Sequence, residues 1–191
     1  MILTISLWQP WASLMAFGAK RVETRHWKFP RQLPAVVAIH AAKRWDQSLY
    51  DLCQTEPFAR VLAAHGVKFV TRPKASAAAT IGVPRLLPRP LIPFGQIVAV
   101  GRLRLCIPTE ASAAGVRMAA RLSGDAGKLD ELAFGDFSRG RWAWAFDRVV
   151  ALQEPILETG HQSLWRWEPT AEAATIAAEL HAAAENIPDF S

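Results

Sequence analysis

The chain has 191 residues, 51% hydrophobic and 20% charged, with 13 prolines scattered along it, which excludes a disordered or collagen-like chain and suits one domain whose core needs no staples. The formal net charge of +5 is uneven: residues 1–104 carry 15 Lys and Arg against 4 acids, and the remainder carries 7 against 13. The eight basic residues from Arg60 to Arg104, with no acid among them, are either a polyanion-binding footprint, where neutralised phosphates release counterions, or a solvated arginine-rich face.

In chain order, residues 2–7 (ILTISL) read as a β-branched strand, and Gln9-Pro10 leads into a short helix over 11–17 that Gly18 can cap. Residues 21–27 (RVETRHW) alternate, with Arg21, Glu23, Arg25 and Trp27 on one face and Val22, Thr24 and His26 on the other. Residues 35–41 (AVVAIHA) read as a buried strand, and Asp46 opens a helical segment that breaks near Pro57 and runs to His65. Five prolines between Thr71 and Phe94 make that stretch a long loop, of the kind that serves as a lid or binding segment. Residues 96–107 form the clearest long strand, with Val98, Val100, Arg102 and Arg104 expected on one face. Residues 111–122 read as a helix and 141–150 as another strand. At the end, Ile176, Leu180, Ala183 and Ile187 make one helical stripe, a helix over about 171–186 docked on the outside of a sheet. Short strands among helices, without βαβ alternation, favour an α+β fold with a small mixed or antiparallel barrel.

Cys53 and Cys106 stand alone and no histidines cluster, so no disulfide framework, metal or cofactor is expected, and a reducing compartment fits. The apolar opening over 1–17 lacks a basic leader and is interrupted at Gln9-Pro10, and no apolar run reaches about 18 residues. The expectation is therefore a cytoplasmic protein with no membrane partner. Nucleophile-elbow, zinc-protease, P-loop and dinucleotide motifs are all missing.

Several residues invite a functional reading beside a plain one. Gly18 ends a helix and lets Lys20 emerge at the following turn, where its ammonium can meet phosphate. Glu23 and Arg25 share a face, so the carboxylate either accepts a base N–H or forms a structural ion pair. His40, at the end of a buried strand, is a satisfied core histidine or a general base. Among eight Trp, Trp142 and Trp144 alternate with Phe146 onto one face as barrel filling, Trp165 and Trp167 pack beneath the last helix, and Trp11 is a stacking platform or a hydrophobic staple. Arg141 beside Gly140, and the pair Arg102 and Arg104, are further phosphate candidates or merely solvated.

The run SLWQPWASLMAFGAKRVETRHW (6–27) places Gly18, Lys20, Glu23 and Arg25 in the pattern GxKxxExR, preceded by Gln9-Pro10-Trp11. It resembles the signature of the ASCH domain of the PUA-like superfamily. Segments 38–45 (AIHAAKRW, which holds Lys43), 95–106, 134–156 and 160–167 resemble later blocks, so the likeness covers about residues 2–167. The resemblance implies a PUA-like barrel of five or six strands, flanked by helices, in one domain over 1–191, with the loop 71–94 and the C-terminal helix as additions. It also implies an RNA- or nucleic-acid-binding module; some bacterial members are ribonucleases, and a small branch hydrolyses an acetylated cytidine with a Lys, a Thr three positions on, and a later Glu. Lys20 matches that Lys, but position 23 is Glu, and Thr24 turns to the other face.

The expectation is thus a module that binds RNA or a modified nucleotide in a basic cleft formed by Gln9, Trp11, Lys20, Glu23, Arg25, Lys43, Arg102, Arg104 and Arg141. The alternative is a hydrolase, a ribonuclease or a modified-nucleoside amidohydrolase, with Lys20, Glu23 and His40 as its catalytic groups. A protein partner would use the C-terminal helix.

Overall fold

The computed structural model describes residues 1–70, 87–109 and 129–183. The elements are β1 (Ile2–Leu7), α1 (Trp11–Ala16), β2 (Val22–Arg25), β3 (Ala35–Ala41), α2 (Gln47–Cys53), α3 (Phe58–Ala64), β4 (Phe69–Val70) and β5 (Arg89–Pro90). They continue with β6 (Gln96–Pro108), a 3-10 turn (Leu129–Leu132), β7 (Trp142–Leu157), β8 (Leu164–Trp167) and α4 (Ala171–Ala182). The helix expected over 111–122, residues 71–86 of the loop expected over 71–94, and the last turn expected for the C-terminal helix lie outside the described residues. Within the stretch read as one irregular loop, Arg89–Pro90 instead pairs with Phe69–Val70 as a two-residue ladder.

Six strands form one sheet in the order β2-β7-β6-β3-β1-β8. The β1–β3 pair is parallel and the other pairs are antiparallel. The expected barrel does not close. β1 is occupied by β3 on one side and β8 on the other, so β2 and β8 remain separate edges. The 13-residue β6 and 16-residue β7 bend through three register shifts, as bulged strands do. At the closing point, Arg25 Nη2 donates to the Ser6 carbonyl at 3.2 Å, a side-chain contact in place of a ladder.

Period-two alternation sorts β3 between two cores. Val37, Ile39 and Ala41 face a core that holds Ala12 and Met15 of α1 together with Trp144 and Phe146. Val36 and Ala38 face the opposite core, which α4 covers with Ala173, Ala177 and Leu180, and Trp165 and Trp167 pack there as expected. The bulge after Ile97 breaks the single face expected for β6: Val98 joins the first core and Val100 the second.

Arg102 is buried under α4. Its Nε and Nη2 each lie 2.9 Å from a different Asp147 carboxylate oxygen, and its Nη1 donates to the Leu180 carbonyl at 3.2 Å, satisfying an orphan acceptor of the last helical turn. On the other side, the Asp46 carboxylate caps α2 by accepting from Leu49 N–H, and hydrogen bonds from Ser48 and Arg44 hold its carboxyl down at about 2. Leu49 and Cys53 are the inward residues of α2, and burial pushes the Cys53 thiol up to about 12. No helix among the described residues is long and apolar enough to cross a membrane.

Candidate nucleic-acid interface

The motif turn is built from backbone first. Gly18 takes φ +77°, the left-handed conformation that suits glycine, and the Lys20 N–H returns to the Leu14 carbonyl at 3.0 Å to close the end of α1. This geometry sends Lys20 inward. Its side chain is fully buried, its Nζ donates to the carbonyls of Val22 and, at 3.0 Å, Phe134, and it lies 3.5 Å from Glu23 Oε2. The ammonium expected to emerge toward phosphate is therefore a positioning group beneath Glu23.

A residue the sequence reading missed completes the turn. Glu131 accepts from the Arg21 and Val22 N–H groups, both at 2.8 Å, and burial pushes its carboxyl up against the opposing pull of Lys20 and these amides. Nothing local in LDEL flags this role, because its partners lie about 110 residues earlier in the chain.

β2 alternates as expected: Val22 and Thr24 are buried, while Glu23 and Arg25 face a cavity of about 450 Å³, a size typical of ligand sites. Arg25 Nε lies 3.2 Å from Glu23 Oε1, so a cation flanks the carboxylate on each side. Trp8, Trp11, Phe58 and Phe134 contribute rings to the wall, with Trp11 edge-on to Phe58. Just before β7, the strand next to β2, Arg141 pairs with Asp136 at 3.3 Å and donates to the Thr24 carbonyl at 3.2 Å. The Thr24 hydroxyl is occupied by the Asp136 N–H at 3.0 Å. Among the described residues two guanidinium groups and two carboxylates thus line this cavity, a balanced set where the sequence pointed to a cationic one.

A second cavity of about 470 Å³ adjoins it through Ser6, Trp8 and Arg25 and contains His40, Lys43 and His161. Here a hydrogen-bond chain fixes the imidazole. Trp165 Nε1 only donates, so Ser6 Oγ accepts from it at 3.3 Å and offers its own proton to His40 Nδ1 at 3.1 Å. His40 Nε2–H then donates to the Glu158 carbonyl at 3.2 Å. Burial lowers the His40 pKa, opposed by that carbonyl and reinforced by Lys43 and His161. Stability that depends on neutral His40 is thus present above its ordinary 6.5 and is lost as pH falls through the lowered value. Denaturant unfolding from pH 7.5 to 5 is expected to show this loss, with His40→Gln flattening it; an equal slope in the variant sinks the assignment.

The remaining candidates are scattered. Gln9 is buried and committed: its Oε1 accepts from Ser13 N–H at 3.1 Å and its Nε2 donates to the Pro93 carbonyl at 2.6 Å. Arg102 is held beneath α4, and Arg104 is half-buried on β6 beyond a register shift. The fold thus brings Trp11, Lys20, Glu23, Arg25 and Arg141 together, sets His40 and Lys43 in the neighbouring cavity, and leaves Arg102 and Arg104 apart. Among the described residues no group of three or more His, Cys, Asp and Glu is placed to hold a metal ion.

No family model and no curated protein matches the sequence. Among solved structures the chain is similar to ASCH proteins from Zymomonas mobilis. One is a single-substitution variant, 15% identical over 92% of this chain and 96% of that one, with a TM-score of 0.44. Another is 16% identical over 92% of this chain and 93% of that one, with a TM-score of 0.43. These neighbours carry the same domain name that the motif in residues 6–27 resembles.

Proposed function

We propose that the chain is an ASCH-type module that binds RNA or a modified nucleotide in the cavity lined by Trp11, Glu23, Arg25 and Arg141. The observation that carries this reading is the Glu23 carboxylate, held between Lys20 and Arg25 on the wall of a cavity with aromatic sides. A fixed carboxylate accepts the amino and imino N–H groups of a base edge, indole and phenyl rings take its face, and Arg25 and Arg141 are the groups available to phosphate.

Fluorescence anisotropy with a short unstructured RNA tests it. Affinity should fall with salt at a slope of about −0.7 per phosphate neutralised. Arg25→Ala should weaken binding about tenfold, the scale of one charge-assisted hydrogen bond, with its melting temperature measured alongside. Binding indifferent to both salt and Arg25 would overturn the reading. Hydrolysis of RNA or a modified nucleoside at the same cleft is the second reading, motivated by the His40–Ser6 hydrogen bond on the shared wall. Turnover no greater than that of Glu23→Gln removes it.

A further inference from the structure

The two cavities described above do not end at Lys43. A third, of about 680 Å³, begins there and continues over Phe94 and Gln96, so Lys43 is common to the second and third as Arg25 is common to the first and second. Among the described residues the first and third share no lining residue, which sets the three in a row. Charge changes along that row. Glu23 and Asp136 belong to the first cavity only, whereas no carboxylate side chain lines the second or third among the described residues.

Each junction carries a long cation beside an aromatic ring. Trp8, 45% exposed, stands with Arg25 at the first junction, and the Arg44 guanidinium lies 3.9 Å from the centre of its ring. At the second junction Lys43 runs across Gly95, where an added Cβ would come within 2.4 Å of its Cε, so glycine is what allows the lysine stem to lie flat there. Phe94 follows, with Arg89 at 3.7 Å over its face.

We infer that the three cavities form one track for a single-stranded nucleic acid of about three consecutive nucleotides, with the carboxylate-bearing cavity reading one base and the other two holding its neighbours. The inference rests on the nucleotide-binding reading and extends it from one nucleotide to a strand. Cations at the junctions, rings beside them and carboxylates confined to one end are the pattern that alternating phosphates and bases require. Volumes of several hundred Å³ each leave room for one nucleotide-sized group per cavity.

Calorimetric titration with a length series tests it, using nucleoside monophosphate, di-, tri- and hexanucleotides as RNA and as DNA, and inorganic tripolyphosphate. Affinity is expected to rise at each step to about three nucleotides and then level off. Lys43→Gln, at an exposed position, should lower hexanucleotide affinity several-fold and reduce the salt slope by about 0.7. RNA and DNA arms that differ identify which strand the track accepts, and either supports it. A monophosphate bound as tightly as the hexanucleotide overturns the track and leaves the single-nucleotide reading standing. So does a Lys43→Gln protein that keeps full hexanucleotide affinity. Tripolyphosphate bound as tightly as the trinucleotide overturns the base-holding role of the track. Binding of no nucleotide at any length removes both proposals.

Discussion

Replacing Arg102 by alanine is expected to destabilise the fold by about 3–5 kcal/mol, because removing one partner of a buried ion pair strands the other. Arg102 and Asp147 are each 7% exposed, and the guanidinium also supplies a donor to the Leu180 carbonyl at the end of α4. The loss therefore reaches beyond the pair: α4 is held on its core by the same side chain that neutralises Asp147. For a chain of this length each kcal/mol is worth about 2–4 °C, so thermal unfolding by circular dichroism should fall by about 10 °C. Arg102→Met with Asp147→Leu, apolar residues in place of both charges, should recover much of it. A single-variant loss below about 1 kcal/mol, the level of a surface pair, would refute the buried assignment.

Glu131→Ala should rank next, at about 3 kcal/mol. The change leaves the Arg21 and Val22 amides without their acceptor and takes away a carboxylate that offsets the buried Lys20 charge. It should also weaken the nucleotide binding proposed for the first cavity, because β2 begins at Val22 and carries Glu23 and Arg25 into that cavity. The pH dependence has a definite sign. Burial raises the Glu131 carboxyl above its ordinary 4.5, so its contribution is full below 4.5 and declines as pH rises through the raised value. Urea unfolding across that window should show the decline in the parent and not in Glu131→Gln. An Ala variant as stable as the parent at neutral pH would rule out the anchoring role.

Local pattern made several elements legible. Alternation in VETR put Glu23 and Arg25 on one shared face, Asp46 announced the start of α2, and AVVAIHA, apolar apart from His40, announced a buried strand. What escaped was decided by distant partners. Lys20 reads as a surface lysine just past a helix-ending glycine, and besides its neighbours Val22 and Glu23 its buried place depends on Phe134 and Glu131, more than 100 residues later. Arg102 and Arg104 share a face in an ideal strand, and the register shifts on β6 separate them. Barrel closure is a question of which strand takes the last free edge, and β8 takes it by pairing with β1. The site was legible as a motif and illegible as a surface, since only the fold decides which of its charges meet solvent.

The inward thiol of α2 has a practical use. Alkylating reagents attack thiolate, which Cys53 scarcely forms at neutral pH while α2 stays seated, and the next residue back, Leu52, lines the wall of the first cavity. The rate at which a maleimide captures Cys53 is thus a clock for the lifting of that wall, and its slowing under saturating ligand would time how firmly an occupant clamps the helix down.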